Sequence, residues 1–208
     1  MNYQRELDNI ISTLEKNGEV PRLFLHSCCA PCSSYVLEYL SQYFNITVIY
    51  YNPNITNSEE YSKRISELRR LIAELPLKHP VTLIEGDYEP QCFFQAVKGL
   101  EKESEGGARC AKCFRLRLEK TAEIAESIWK RQKDQTKCFL STTLTISPLK
   151  NADLLNDILL EVTEDKPWLL PLPSDFKKRE GYKRSIELSR LYSLYRQNYC
   201  GCIYSQIK

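Results

Sequence analysis

The sequence predicts an α/β protein, with a mostly parallel five-stranded sheet and helices on both faces. Three observations lead there. Short apolar runs, several rich in β-branched residues, alternate with amphipathic segments from residue 22 to residue 196. The connections between them carry Pro, Asn or Gly. No repeat, low-complexity tract or long linker interrupts the pattern, so residues 1–208 are expected to form a single α/β domain.

Taken in order, "RLFLHS" (22–27) reads as a buried strand, and Pro31 in the turn behind it leads into a helix over "CSSYVLEYLSQYF". "ITVIYYN" (46–52) is the second strand and ends at Asn52-Pro53-Asn54. "SEEYSKRISELRRLIAEL" (58–75) is an amphipathic helix capped by Ser58. "VTLIEG" (81–86) is the third strand, followed by a short helix over 91–100. The polar stretch "EKESEGGARCAKC" reads as a loop until about Arg109, and Cys113 opens a long helix, "FRLRLEKTAEIAESIWKRQ". "KCFLSTTLT" (137–145), "NADLLNDILLEVTED", "WLLPLP" (168–173) and 180–196 supply the fourth strand, a helix, the fifth strand and the last helix.

Apolar residues make up 42% and charged residues 27%, the balance of a soluble globular protein. No apolar run approaches the roughly 20 residues that cross a bilayer. The opening "MNYQRELDNIISTLEKNGEVPR" lacks the pattern of a secretion signal, so a cytoplasmic protein without a membrane partner is expected. In that compartment nine cysteines argue against structural disulfides and for metal or redox chemistry. The net charge of +2 gives no global basic field. Residues 177–196, however, hold seven Lys or Arg against two Glu, either a phosphate-tracking face or a solvated one paired within itself.

In parallel α/β sheets ligands gather beyond the carboxyl ends of the strands. "HSCCAPCSS" puts Cys28, Cys29 and Cys32 there, where a nucleotide-binding protein would keep a Gly-rich phosphate loop. Cys110 and Cys113 form a C-x-x-C pair at a loop-to-helix junction, where amides can hydrogen-bond the sulfurs. Four thiolates from two loops suit zinc or an iron–sulfur cluster. A structural zinc site closes at four ligands, and the surplus of Cys32, Cys200 and Cys202 favours iron–sulfur. Cys200-Gly201-Cys202 can close only a small strained ring, which suits a two-electron relay. Alternatively, the pair ligates a second metal with Cys32 or a carboxylate such as Asp175. Cys92 and Cys138 read as buried core thiols.

Three other side chains are candidates for proton transfer, each with a plainer alternative. His26 can titrate near neutrality or be a hydrogen-bonded core group. Asp175 can donate a proton, bind metal or cap a turn. Tyr182 stands with Tyr192, Tyr195 and Tyr199 along the basic face, where rings stack on single-stranded nucleic acid. Tyr192 and Tyr195 also fall at helical spacing with Leu188 and Leu191, as core residues would.

Together "HSCCAPC", "YYNPNI" with "EYSKR", "GARCAKCFRLRLEKTA", "STTLTISPLKN" and "DFKKREGYKRSIELSRLYSLYRQNYCGCIYS" resemble the QueH family of epoxyqueuosine reductases over most of the chain. The resemblance implies a Rossmann-like fold related to the adenine-nucleotide alpha-hydrolase-like group, without that group's ATP motif. It implies cobalamin-independent reduction of epoxyqueuosine to queuosine at the wobble base of tRNA. It further implies a 4Fe-4S cluster on Cys28, Cys29, Cys110 and Cys113, with Cys200 and Cys202 as a redox-active pair. A second iron ion and an electron donor protein accompany that reading, and the basic final helix is expected to hold the tRNA loop backbone. Two rivals remain: a tRNA sulfur-transfer enzyme, for which "HSCCAPCSS" offers no ATP loop, and a zinc-stabilised RNA-binding module without catalysis.

Overall fold

The computed structural model describes residues 2–132 and 136–206. Strands β1 (Arg22–His26), β2 (Asn45–Tyr50), β3 (Val81–Glu85), β4 (Cys138–Thr142) and β5 (Leu169–Pro171) form one sheet in the order β3-β2-β1-β4-β5. Every pairing is parallel, with Leu23 opposite Ile46 on one side and Phe139 on the other. The expected five-stranded α/β architecture is therefore present.

Central strands covered on both faces must be apolar throughout. In β1, Leu23, Phe24 and Leu25 are fully buried; each contributes about 1.5–3 kcal/mol of transfer free energy. Leu23 and Leu25 point into a cluster with helices α1 (Tyr3–Asn17), α2 (Ala30–Leu40) and α3 (Ser58–Glu74). Phe24 points the other way, into a cluster with α5 (Ala108–Trp129) and α6 (Ala152–Thr163). The short α4 (Pro90–Ala96) precedes α5, and α7 (Gly181–Leu191) packs on α2.

Several boundaries differ from the expectation, and two of them matter for the site. Helix α2 begins at Ala30, with Cys29 as its extended N-cap, so Cys32 sits in its first turn. Helix α5 begins at Ala108 and not at Cys113, because Gly107 caps it; Cys110 and Cys113 are both helical. The fourth strand stops at Thr142, where a 3₁₀ turn takes over through Ile146 and the Thr142 hydroxyl accepts from the Leu144 amide at 3.1 Å. Helix α7 stops at Leu191, and Ser193 adopts φ +47, so Leu191 is exposed instead of joining the core. Asn57, not Ser58, caps α3 by accepting from the Glu60 amide at 2.8 Å.

The winding places the site. From β1 the chain steps outward through β2 to β3, then α5 returns it to β4 on the other flank of β1. The order reverses between β1 and β4, and their carboxyl ends open a crevice there. Helix α7 closes one side of that crevice with no room to spare. A Cβ on Gly181 would lie 2.1 Å from the Phe176 carbonyl oxygen and 2.4 Å from Tyr35 Cε1. Gly181→Ala should therefore cost about 3 kcal/mol, the upper end for overpacking, read from the urea midpoint. An unchanged midpoint would show that α7 docks loosely.

Candidate metal centre

Residues Cys28 and Cys29 leave β1 as it ends, and Cys29 turns the chain into α2. The three sulfurs of Cys28, Cys29 and Cys32 lie within 4.8 Å of one another, the one metal-ligand group of this kind among the described residues. Cys28 Sγ is 3.7 Å from Cys29 Sγ and 3.6 Å from Thr143 Oγ1, and the Thr143 hydroxyl also accepts from the Cys28 amide at 3.3 Å. The Ser33 hydroxyl donates to the Cys29 carbonyl at 2.8 Å, and Asn52 Nδ2 to the Ser27 carbonyl at 2.9 Å. These bonds hold the turn that lets adjacent cysteines face one point.

Helix α5 brings the second pair. The Gly106 amide donates to Cys110 Sγ at 3.2 Å, as expected of amides at a helix start. Cys28 and Cys110 pack on the same apolar cluster, the one around Phe114 and Leu118. Cys113 is buried one turn further, beside Phe93, Val97 and Cys202. Cys200 lines the crevice, and none of the nine cysteines forms a disulfide. Cys138 is buried as expected, whereas Cys92 is only half-buried.

Two cations that the sequence reading missed complete the centre. Arg117 is 1% exposed and lies one turn beyond Cys113. Its Nη2 donates to Asn52 Oδ1, while Nε and Nη1 are buried without a hydrogen-bond partner among the described residues. Burial opposes its charge, and the nearby sulfurs of Cys113, Cys200 and Cys28 more than offset that, raising its pKa. Lys150, in the loop after β4, lines the crevice, and Cys200, Cys28 and Cys32 raise its pKa against the pull of burial. Within a helix, "CFRLR" places Cys113 and Arg117 on one face, the signal in the sequence that points to the buried arginine.

The three neighbouring thiols divide their protons unequally. Hydrogen bonds from Cys29 and Cys32 hold Cys28 well below the usual thiol range, and Lys150 and Arg117 reinforce this. Donating to that thiolate pushes Cys29 up to about 12, and Cys32 is raised as well. Burial pushes Cys113 up to about 12. The shifts run in opposite directions within one hydrogen-bonded group, and a metal taking all three sulfurs would release protons. The three thiols gathered at the start of α2 fit a metal or iron–sulfur group, beside a buried guanidinium with two nitrogens unpartnered among the described residues; Cys110 and Cys113, at the start of α5, lie outside that group of three.

The other candidates scatter. His26 is fully buried, with Nδ1 2.8 Å from Thr142 Oγ1; burial and then Arg117 pull its pKa down to about 3, leaving a neutral ring at neutral pH. Asp175 pairs with Lys177 at 2.8 Å and lines a separate hollow with Tyr3 and Asp153. Tyr182 and Tyr199 line the crevice, a cavity of about 270 Å³. Tyr192 packs against the core; Tyr195 instead gives its hydroxyl to Glu60 at 2.9 Å. The basic stretch is largely paired within the chain: Arg184 binds Glu38 at 2.6 and 2.9 Å, Lys183 meets Glu180 and Arg179 meets Asp8. No helix among the described residues is long and apolar enough to cross a membrane.

A Rossmann-like sheet whose switch-point crevice is floored by thiols in place of a phosphate loop defines an α/β protein with a cysteine cluster that could hold a metal. The family model described as epoxyqueuosine reductase QueH matches residues 23–208. A Staphylococcus epidermidis protein named epoxyqueuosine reductase QueH is 41% identical over 212 residues, covering 100% of this chain and 86% of its own. Namesakes from Streptococcus pyogenes serotype M1 and Thermotoga maritima are 41% and 31% identical, covering 99% and 89% of this chain and 78% and 91% of their own. The chain belongs to the QueH family.

Loading with iron and sulfide should protect Cys28, Cys29, Cys110 and Cys113 from alkylation together, by roughly tenfold or more, and leave Cys92 unprotected. Mass spectrometry of the labelled peptides reads this directly. Protection confined to residues 28–32 would exclude Cys110 and Cys113 from the centre.

Proposed function

We propose that this chain reduces epoxyqueuosine to queuosine at the wobble position of tRNA. Family membership carries the reading, and the thiol-floored crevice supports it. In the reaction both C–O bonds of the epoxide break and a C=C bond forms. Two electrons and two protons carry the oxygen away as water. In this reading Cys28, Cys29, Cys110 and Cys113 hold a 4Fe-4S cluster, with Cys32 beside them; such a group supplies electrons one at a time at low potential.

The chain's own side chains do the rest. Arg117 and Lys150 offset the negative charge of the gathered sulfurs. Cys200 and Cys202 can form a disulfide, giving up two electrons and two protons; their other use is as ligands of a second iron ion with Cys32. Leu144, Ile146 and Pro148 give the crevice one apolar wall. A base turned out of a single-stranded anticodon loop would lie against Tyr182 and Tyr199, with Arg196 and Lys150 near its phosphates. The crevice itself offers the Tyr182 hydroxyl as proton source. A redox protein replenishes the electrons, and tRNA places the work in the cytoplasm.

Anaerobically reconstituted protein should convert epoxyqueuosine-bearing tRNA to the queuosine form, read by nucleoside mass spectrometry. A colourless zinc protein that binds tRNA without turnover would overturn the proposal in favour of an RNA-binding module. Tyr182→Phe should lower kcat by about 10²–10⁴-fold with little change in KM, the loss expected of a general acid. Unchanged kcat would remove Tyr182 from proton transfer.

A further inference from the structure

The last stretch of the chain is held to α3 by charged groups more than by apolar packing. Arg70 Nη2 donates to the Tyr192 carbonyl at 3.0 Å, and Glu67 Oε2 accepts from the Tyr195 amide at 2.9 Å. Between these and the amino end of α3 stands Arg64, 2% exposed. Its Nε donates to Glu60 at 2.7 Å, its Nη1 to the Cys200 carbonyl at 3.0 Å and its Nη2 to the Tyr199 carbonyl at 3.3 Å. The guanidinium also faces the Tyr199 ring, 5.2 Å from its centroid.

The next residue turns the chain. Gly201 has φ +109, and a Cβ there would sit 2.8 Å from Ile55 Cγ1 and 3.2 Å from Arg64 Nη1. Its carbonyl accepts from the Thr56 amide at 3.4 Å. The turn sends the two flanking cysteines to different surroundings. Cys200 lines the crevice, while Cys202 packs against Phe93, Val97 and Cys113.

We infer that Arg64 is the positioning residue for Cys200. Its planar fork fixes the two peptide carbonyls that precede Gly201, and so presents the Cys200 thiol to the crevice. The inference rests on the reading that Cys200 works there. Lysine would keep the charge but not the fork, since an ammonium is a single point donor. All three guanidinium nitrogens of Arg64 donate, two to this segment and one to Glu60.

The test uses two full-length variants, Arg64→Lys and Gly201→Ala, reduced and labelled with iodoacetamide over time. Cys200 should label roughly tenfold faster or more in both, the effect of losing a charged hydrogen bond that closes a local opening. Cys92 should keep its wild-type rate, and in reconstituted protein kcat should fall with KM for tRNA unchanged. A wild-type Cys200 rate in both variants overturns the inference; so does equal acceleration at Cys92, which would mean general loosening. Cys200→Ser separates the two claims. Full turnover in that variant overturns the role of Cys200, while the labelling ratio still judges Arg64.

Discussion

A guanidinium withdrawn from water demands negative charge beside it, and Arg117 sets that demand at the middle of this molecule. Asn52 answers one of its nitrogens; the two others have only sulfur for company. Leaving a buried charge uncompensated costs several kcal/mol. The fold sets ionisable thiols beside this charge, and in the proposed reading a bound metal would complete their ionisation. Asn52, two residues beyond β2, bridges Arg117 to the Ser27 carbonyl and ties the turn after β1 to α5.

Two helix starts meet the same need from another direction. Thiolates at an amino terminus are favoured by unpaired amides and by the helix dipole. Cys32 stands in the first turn of α2 and Cys110 in the first turn of α5. The switch point of a doubly wound sheet turns such termini toward a common crevice, which in nucleotide-binding relatives of the fold holds phosphate. Here the same geometry is used for sulfur. The departure lies in the turn, where Cys28-Cys29 replaces glycine.

Much of the architecture was legible because periodicity is local. Strands such as "RLFLHS" are apolar on both faces, and that pattern survives any tertiary detail. The first helix carries its own signal too, in Leu7, Ile11 and Leu14 with Asn2 before and Gly18 after. Helix starts were less legible. Gly107 and Cys29 cap without a side-chain hydrogen bond, so no Ser, Thr or Asp marks the boundary. The partners of the basic stretch could not be read at all, because Arg184 meets Glu38 across 146 residues. Lys150 and Arg64 sat within quoted motifs, yet only folding shows what they face.

The account's central claim is that Arg117 serves an anionic sulfur-bound metal at a cost to the empty protein. The melting midpoint of Arg117→Met, with and without iron and sulfide, tests it most directly. The account predicts that the empty variant melts at or above the empty wild type, and that loading raises its midpoint far less. A variant that is destabilised when empty yet gains as much from loading as wild type would contradict it.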